Sequence, residues 1–384
     1  MLRVILLFFS FCILFSCKDS QEMARLDTYQ LKPTGIVKKF VLDTDVRYNC
    51  FYLYLFKDKS GREYLSFLNY RTNQIYFYDW KTAACVLKLE LDAEGPDGVV
   101  LCSGYYVKDF ENIYVTNYAY KGLIRVDTLG HIVQKVPYGV TQDGYEVLPS
   151  YAPSSFGYNA PVIMGDSIYI TQPPLRFSSV EQIPLSILID TAQHRAVSLP
   201  LTYGILTEKE MDTNYYGTFS RIFNGKDFVY SFRVKEDIVV ASLDHREIKQ
   251  VKVKSRYLDN VTGVQKDTEL GPKLNLELAR YGDLIYDPYR EVYYRFAYPK
   301  VSLENDMNWW GKSIFGRKKF SVIVLNKDFQ IIGETLFPES IYNSYVFFVR
   351  EDGLYISRDY QMLYGNQSDD YMTFERMELV EKNE

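Results

Sequence analysis

Glu63-Tyr64-Leu65-Ser66-Phe67, Asn112-Ile113-Tyr114-Val115-Thr116, Ser167-Ile168-Tyr169-Ile170-Thr171, Asp227-Phe228-Val229-Tyr230-Ser231, Glu291-Val292-Tyr293-Tyr294-Arg295 and Gly353-Leu354-Tyr355-Ile356-Ser357 are six versions of one short run. Each is rich in aromatic and β-branched residues, the side chains that suit a pleated, half-buried surface. Their onsets fall 49, 55, 60, 64 and 62 residues apart. Self-similarity at such a spacing marks a repeat architecture.

An alternating strand follows each run, and five of these end on a turn-forming residue: Asp79, Asp127, Asp190, Asp244 or Asn326. Such side chains hydrogen-bond the backbone just ahead of them and so favour tight turns. Further strands come at once at 131–136, 195–199, 247–253 and 330–336, and one precedes each run at 51–56, 105–107, 161–164, 218–223, 281–286 and 345–349. Each unit is then four antiparallel strands, a to d. Six units set radially predict an all-β, six-bladed β-propeller, whose closed ring protects sheet edges. The last unit lacks a d strand after its c strand at 371–379, while a spare strand stands at 35–42. The expectation is that the N-terminal strand completes the last blade. A β-sandwich or an open run of meanders would share the period-two pattern. The only helical signal is a turn or two at 274–278.

Composition sets the class. Apolar residues are 47% of the chain and charged residues 24%, which is globular. A net charge of -5 offers no basic field, which argues against a nucleic-acid partner.

The N-terminus reads as an address. Arg3 precedes the apolar run 4–14, too short to cross a bilayer but long enough for the core of a secretory signal. It ends in Leu14-Phe15-Ser16-Cys17, which resembles the lipobox of bacterial lipoproteins. The resemblance implies a signal peptide at 1–16 and lipidation of Cys17, which would hold the protein at the cell envelope by a membrane anchor; with the repeat it divides the rest into a tether at 17–34 and a propeller at 35–384. Lys18 leans the expected address toward the outer membrane. Cleavage would leave Cys50, Cys85 and Cys102 beside apolar strands, as buried free thiols or with Cys50 and Cys102 bridged.

Tyr-Arg-Thr-Asn-Gln-Ile-Tyr-Phe-Tyr-Asp (70–79), Glu-Gly-Pro-Asp-Gly-Val (94–99) and Glu-Asn-Ile-Tyr-Val (111–115) resemble the uncharacterised, TolB-like six-bladed propeller lipoproteins of the Bacteroidetes. The resemblance covers the whole mature chain and implies fold and envelope location. It carries no reaction with it.

In a four-stranded blade the d-to-a and b-to-c connections share one face. The long connections, 137–160, 201–217, 255–280, 172–184, 298–319 and 358–370, all fall in those positions. Long loops on a rigid scaffold carry binding residues, so a ligand or partner is expected there. The candidates are Asn69, Asn117, Arg176, Tyr216, Arg233, Arg280, Arg295, Trp309, Trp310 and Arg358, because Arg and aromatic residues anchor interfaces and stack on sugars. The tryptophans could instead pin the loop, and the arginines could pair between blades. Asp92-Ala-Glu-Gly-Pro-Asp-Gly has the carboxylates of a cation loop, but its spacing is not that of an EF-hand and its Gly-Pro and Asp-Gly are first of all turn formers.

Catalytic signals are weak. His131, His194 and His245 sit at or just after c-to-d turns, away from the long loops and on separate blades. Neither a Gly-x-Ser-x-Gly elbow nor a His-Glu-x-x-His pair occurs, and Gly311-Lys312-Ser313 lacks the glycine-rich start of a phosphate loop. No cofactor is expected. The reading is an envelope binding module that engages an envelope protein or a glycan. A glycan-active enzyme working with paired carboxylates is the alternative.

Overall fold

The computed structural model describes residues 21–22, 25–46, 53–117, 119–144, 159–172, 182–213, 219–261, 271–303, 309–365 and 368–382. After β1 (Gln21–Glu22) and β2 (Tyr29–Val41), strands follow in antiparallel sets of four. The first sheet is β3 (Leu53–Lys57), β4 (Glu63–Asn69), β5 (Gln74–Asp79) and β6 (Cys85–Glu90). The second is β7 (Cys102–Asp109), β8 (Asn112–Asn117), β9 (Gly122–Val126) and β10 (Ile132–Pro137). The third is β11 (Val162–Met164), β12 (Ser167–Thr171), β13 (Ser186–Asp190) and β14 (Arg195–Ser198). The fourth is β15 (Phe219–Phe223), β16 (Phe228–Phe232), β17 (Asp237–Ala241) and β18 (Ile248–Lys252), with β1 added parallel to β18. Helices are short: α1 (Glu208–Thr213), α2 (Gly271–Glu277) and α3 (Trp309–Lys312).

The turn residues do what their chemistry predicts. Asp127 Oδ1 accepts from the amides of Leu129 and His131, both at 2.9 Å. Asp79 takes Thr82 N at 2.7 Å, and Asn326 takes Gln330 N at 2.9 Å. These local bonds hold each c-to-d hairpin in register before any packing is counted.

The remaining strands correct the expectation of six separate sheets. β19 (Arg280–Asp287), β20 (Val292–Tyr298), β21 (Ser321–Leu325), β22 (Ile331–Leu336), β23 (Asn343–Arg350), β24 (Gly353–Ser357) and β25 (Tyr371–Glu381) join β2 in one eight-stranded sheet, ordered β19-β20-β21-β22-β2-β25-β24-β23. β2 runs antiparallel to β25, from Tyr29 opposite Glu381 to Val41 opposite Tyr371. Its start also meets β22 at one parallel pair, Tyr29 opposite Gly333. The physical reason is the missing side chain, since a Cβ on Gly333 would lie 2.2 Å from the Tyr29 carbonyl oxygen. Leu31 N then donates to Thr335 Oγ1 at 2.8 Å. Gly333→Ala is expected to cost about 1–3 kcal/mol, the usual price of overpacking, read as a lower urea midpoint with an unchanged slope. An unchanged midpoint would show that the seam yields freely.

The expected tether boundary also moves. Residues 29–34 are strand, and the backbone ahead of them is docked through Leu26 N on Ile331 O at 2.9 Å. Cys17 and the apolar run before it lie outside the described residues.

Apolar clusters sit between successive strand sets rather than in one central core. Phe77, Leu89, Val107 and Ile124 join the first and second sheets, and Val229, Val251, Leu284 and Ile323 join the fourth to β19–β22. Phe40, Tyr78, Trp80, Phe348 and Phe374 bring the β2/β25 end of the eight-stranded sheet onto the first sheet. There Arg350 lies 4.1 Å over the Trp80 ring and its Nε donates to Glu63 at 2.8 Å. The result is a propeller-like arrangement of small sheets. Cys85 is exposed, contrary to expectation, whereas Cys102 is, as expected, a buried free thiol that donates to Gly104 O at 3.2 Å and is pushed up to about 12 by burial. Cys50, its proposed partner, lies outside the described residues.

Candidate functional site

Three long connections meet in one cleft of about 440 Å³. The approach to β19 supplies Leu276, the β20–β21 connection supplies Trp309, Lys312, Arg317 and Lys318, and the β24–β25 connection supplies Tyr360 and Tyr364. Two local structures shape it. α3 and the 3-10 turn at Ser313–Phe315 end on Gly316 (φ +80), where a Cβ would meet Ser344 Oγ at 2.7 Å, and Asp359–Tyr364 forms a second 3-10 turn. No carboxylate among the described residues lines the cleft.

A charged cluster adjoins it through Arg317. β19 bulges between Tyr281 and Leu284, and bulges re-aim side chains. Gly282 sits in that bulge, and the Tyr298 hydroxyl occupies space within 2.6 Å of where its Cβ would be. Tyr281 N donates to Arg233 O at 2.9 Å, which ties the residue after β16 to the start of β19. Arg317 stacks 5.4 Å from the Tyr298 ring centre, its Nη2 donates to Leu278 O at 2.8 Å, and Tyr298 meets Tyr345 edge-on at 6.0 Å.

The electrostatics follow from burial. Arg280 is 6% exposed and is pushed down to about 9, first by desolvation and further by Arg233 and Arg317. Arg317, 1% exposed, falls to about 10, again mainly through burial. Asp283 is buried too, and desolvation raises its carboxyl against the pull of Arg233 and Arg280. Arg233 and Arg280 thus act on Asp283, and Glu277 on Arg317, in a poorly solvated place. Desolvated like charges repel strongly, and a guanidinium fork matches an oxyanion two bonds at a time. The arrangement is chemically suited to hold an anion.

The structure brings some of the expected residues together and uses others elsewhere. Arg233 and Arg280 share the cluster, and Trp309 lines the cleft. Asn69 and Asn117 are buried turn caps: Asn69 Nδ2 donates to Asp45 O at 3.2 Å, and Asn117 Oδ1 accepts from Tyr120 N at 2.7 Å. Arg295 is wholly buried and serves packing, since its Nε donates to Ser231 Oγ at 3.0 Å, its Nη1 to Val253 O at 3.0 Å and its Nη2 to Lys235 O at 2.7 Å, while its plane lies 3.7 Å over Tyr281. All three are buried with their polar atoms engaged inside the protein, Asn69 and Asn117 by backbone and Arg295 by backbone and Ser231. Arg358 bridges Gln361 Oε1 at 2.7 Å and Glu375 at 3.6 Å. Trp310 follows Trp309 in α3, and Arg176 and Tyr216 lie outside the described residues.

Asp283, Tyr298, Tyr345 and Asp359 were missed. Asp359 is 1% exposed, its Oδ1 has no hydrogen-bond partner, and burial pushes its carboxyl up to about 7. The signal available for Asp283 was Gly282-Asp283, which breaks the alternation of an apolar strand. Of the histidines, His131 is exposed beside Asp127, while His245 is buried against Tyr230, whose hydroxyl also meets Ser186 Oγ at 2.7 Å. Burial and nearby Arg221 drive His245 down to about 4, so it is neutral at pH 7. Asp97, of the acidic loop, caps Ile132 N at 2.9 Å, and no metal-holding group of three His, Cys, Asp or Glu occurs among the described residues.

These features define a class: an all-β chain of small four-stranded sheets in a propeller-like ring, with an aromatic, cationic cleft among its long loops. The chain belongs to the family described as a domain of unknown function, DUF4221, whose model matches residues 36–336. A crystal structure of a member of that family from Bacteroides vulgatus is similar, with a TM-score of 0.80 at 24% identity over 93% of this chain and 100% of that one. A protein from Bacteroides fragilis, provisionally named as exported, has a TM-score of 0.53 at 10% identity over 94% and 100%. No curated protein matches.

Proposed function

We propose that this chain is an exported lipoprotein, lipidated at Cys17 and held at the bacterial cell envelope, in the outer membrane, that binds a glycan through its long-loop face. In this reading the eight-stranded sheet is two blades, β19–β22 and β23–β25 with β2, whose ladders join at a single pair, Tyr29 with Gly333, so the ring is six-bladed and TolB-like. Ligand contact then concentrates on one end of the ring. The observation that carries the reading is the cleft itself, where Trp309 and the exposed Tyr364 line the wall beside Lys312 and Lys318. Sugars present both C–H faces for stacking and hydroxyls for polar groups, and aromatic side chains supply the first at low entropic cost.

A glycan array probed with the full chain and with Trp309→Ala is the test. Binding is expected to fall about tenfold, ~1.4 kcal/mol, the upper range of one aromatic contact, with the melting temperature nearly unchanged. Unaltered array binding together with a lower melting temperature would assign Trp309 to loop packing and remove the cleft from consideration. The glycan-active alternative rests on Asp283 and Asp359, whose carboxyls burial raises as a general acid requires. Release of reducing ends from an array hit, abolished by Asp283→Asn or Asp359→Asn, would move the assignment to an enzyme.

A further inference from the structure

We infer that the outer corner of the fourth sheet, the hairpin joining β17 to β18, is the surface that rests on the lipid bilayer, so that the cleft opens away from the membrane. This rests on lipidation of Cys17 and specifies how the anchored protein is held.

The first support is the short reach of the anchor. β1 docks the N-terminal segment, with Gln21 opposite Val251 and Glu22 opposite Lys252, and Arg25 Nη1 then donates to Lys254 O at 3.1 Å. Four Cα steps separate Cys17 from Gln21, a span of at most about 14 Å. A lipidated Cys17 therefore keeps the bilayer close to the outer edge of the fourth sheet. The second support is direction. β1 runs parallel to β18, and β18 leads from the hairpin toward the long-loop face. The chain thus enters β1 from the hairpin end. Ile248, the first residue of β18, lies three residues back along the strand from Val251, about 10 Å, which is within reach of the anchor.

The third support is what that corner exposes. Ile248 pairs with Ala241 to close the hairpin, and both Ile248 and Leu243 are exposed, at 43% and 39%. Arg246 and Lys249 are exposed on the same hairpin. The neighbouring hairpin between β21 and β22, where Leu26 docks, instead buries its Phe329. Half-exposed aliphatic side chains beside long cationic ones suit the boundary between headgroups and acyl chains. Asp244 and Glu247 offset the two cations, and Asp244 pairs with Arg246 at 3.8 Å. The contact is therefore carried by the short tether and the apolar pair rather than by net charge, and responds little to salt. The cleft is built by the approach to β19 and by the β20–β21 and β24–β25 connections, all at the opposite ends of the strands. It faces solution while the hairpin faces lipid.

The full chain, produced in a bacterial host that acylates lipoproteins, is placed in vesicles of phosphatidylethanolamine and phosphatidylglycerol. A photoreactive benzophenone amino acid replaces Leu243, Ile248, Leu129 or Tyr364 in turn. Leu129, 75% exposed at the hairpin of the second sheet, and Tyr364, 53% exposed in the cleft, are the controls. Irradiation is expected to crosslink lipid to positions 243 and 248 and not to 129 or 364, and raised salt is expected to leave that pattern unchanged. A flexible Gly-Ser linker of about twelve residues inserted between Ser20 and Gln21 is expected to abolish the contrast among the four positions, because the body then turns freely on its anchor. Mass spectrometry of the N-terminal peptide reports acylation of Cys17 separately. An acylated chain that labels all four positions equally, labels none, or labels 129 or 364 most strongly would overturn the orientation and leave the anchor standing. A chain without acyl groups on Cys17 would overturn both.

Discussion

Replacing Glu334 by Ala is expected to lower folding stability by about 3–5 kcal/mol, the cost of removing one partner from a buried charged network. Glu334 sits on β22 with its carboxylate fully enclosed. Oε1 accepts from Ser321 Oγ at 2.8 Å and from Ser255 Oγ, and Oε2 accepts from Arg256 N at 2.9 Å and Arg25 Nη2 at 2.7 Å. One side chain therefore collects the N-terminal segment, the connection after β18 and the edge of β21. Its loss leaves a guanidinium, an amide and two hydroxyls without their acceptor, which is costlier than the net worth of the bonds themselves. Two-state urea unfolding gives the number, and hydrogen exchange is expected to show residues 25–31 opening first. The Lys59 pair with Glu111, 70% and 66% exposed, is the contrast, and Lys59→Ala is expected to leave the urea midpoint unchanged. If both variants melt alike, Glu334 carries no structural weight and the N-terminal segment is held by β2 alone.

The same network marks where sequence reading stopped. Strand order and hairpin turns were legible because their causes are local: alternation in Ile-Tyr-Val-Thr, and an Asp or Asn that bonds amides two to four residues on. The seam at Gly333 was not, because its cause is an absent Cβ meeting a backbone oxygen more than 300 residues earlier in the chain. The extent of β2 was misjudged for a related reason. The tether was expected to run to residue 34 and the strand to begin at Gly35, yet the strand starts at Tyr29 and passes Pro33 by shifting register between Pro33 and Val37. The site divided along the same line. Trp309, Arg233 and Arg280 stood out by residue type and loop position. Arg295 and Asn69 have equally suggestive types, but Arg295 is held by Ser231 and by carbonyls of another strand set and Asn69 Nδ2 by Asp45 O, which no spacing reveals.

Asp359→Asn is expected to stabilise the protein, and to do so in a pH-dependent way that reports the buried carboxyl directly. The folded-state value is raised from 3.8 to about 7, chiefly by desolvation. The folded chain therefore binds a proton that the unfolded chain has released, and stability falls as pH rises between the two values. Below about pH 4 the group is protonated in both states and costs nothing; above about pH 7 its full cost is present, on the order of 4 kcal/mol for that separation. The asparagine variant does not titrate, so its advantage over the parent should grow from pH 4 to pH 7 and then level off. A constant difference across that range would mean that Asp359 is ionised or solvated at all these pH values. The cost bears on function because of where it falls. Asp359 directly precedes Tyr360, which lines the cleft, and Thr373 Oγ1 and Arg358 Nε beside it are also buried without hydrogen-bond partners. Arg358 N on Thr373 O at 2.8 Å fixes the two chain segments against each other, so these unsatisfied atoms cannot drift apart to find water. A cluster of unmet polar groups under the wall of a cleft is what a site retains when selection acts on the ligand rather than on stability.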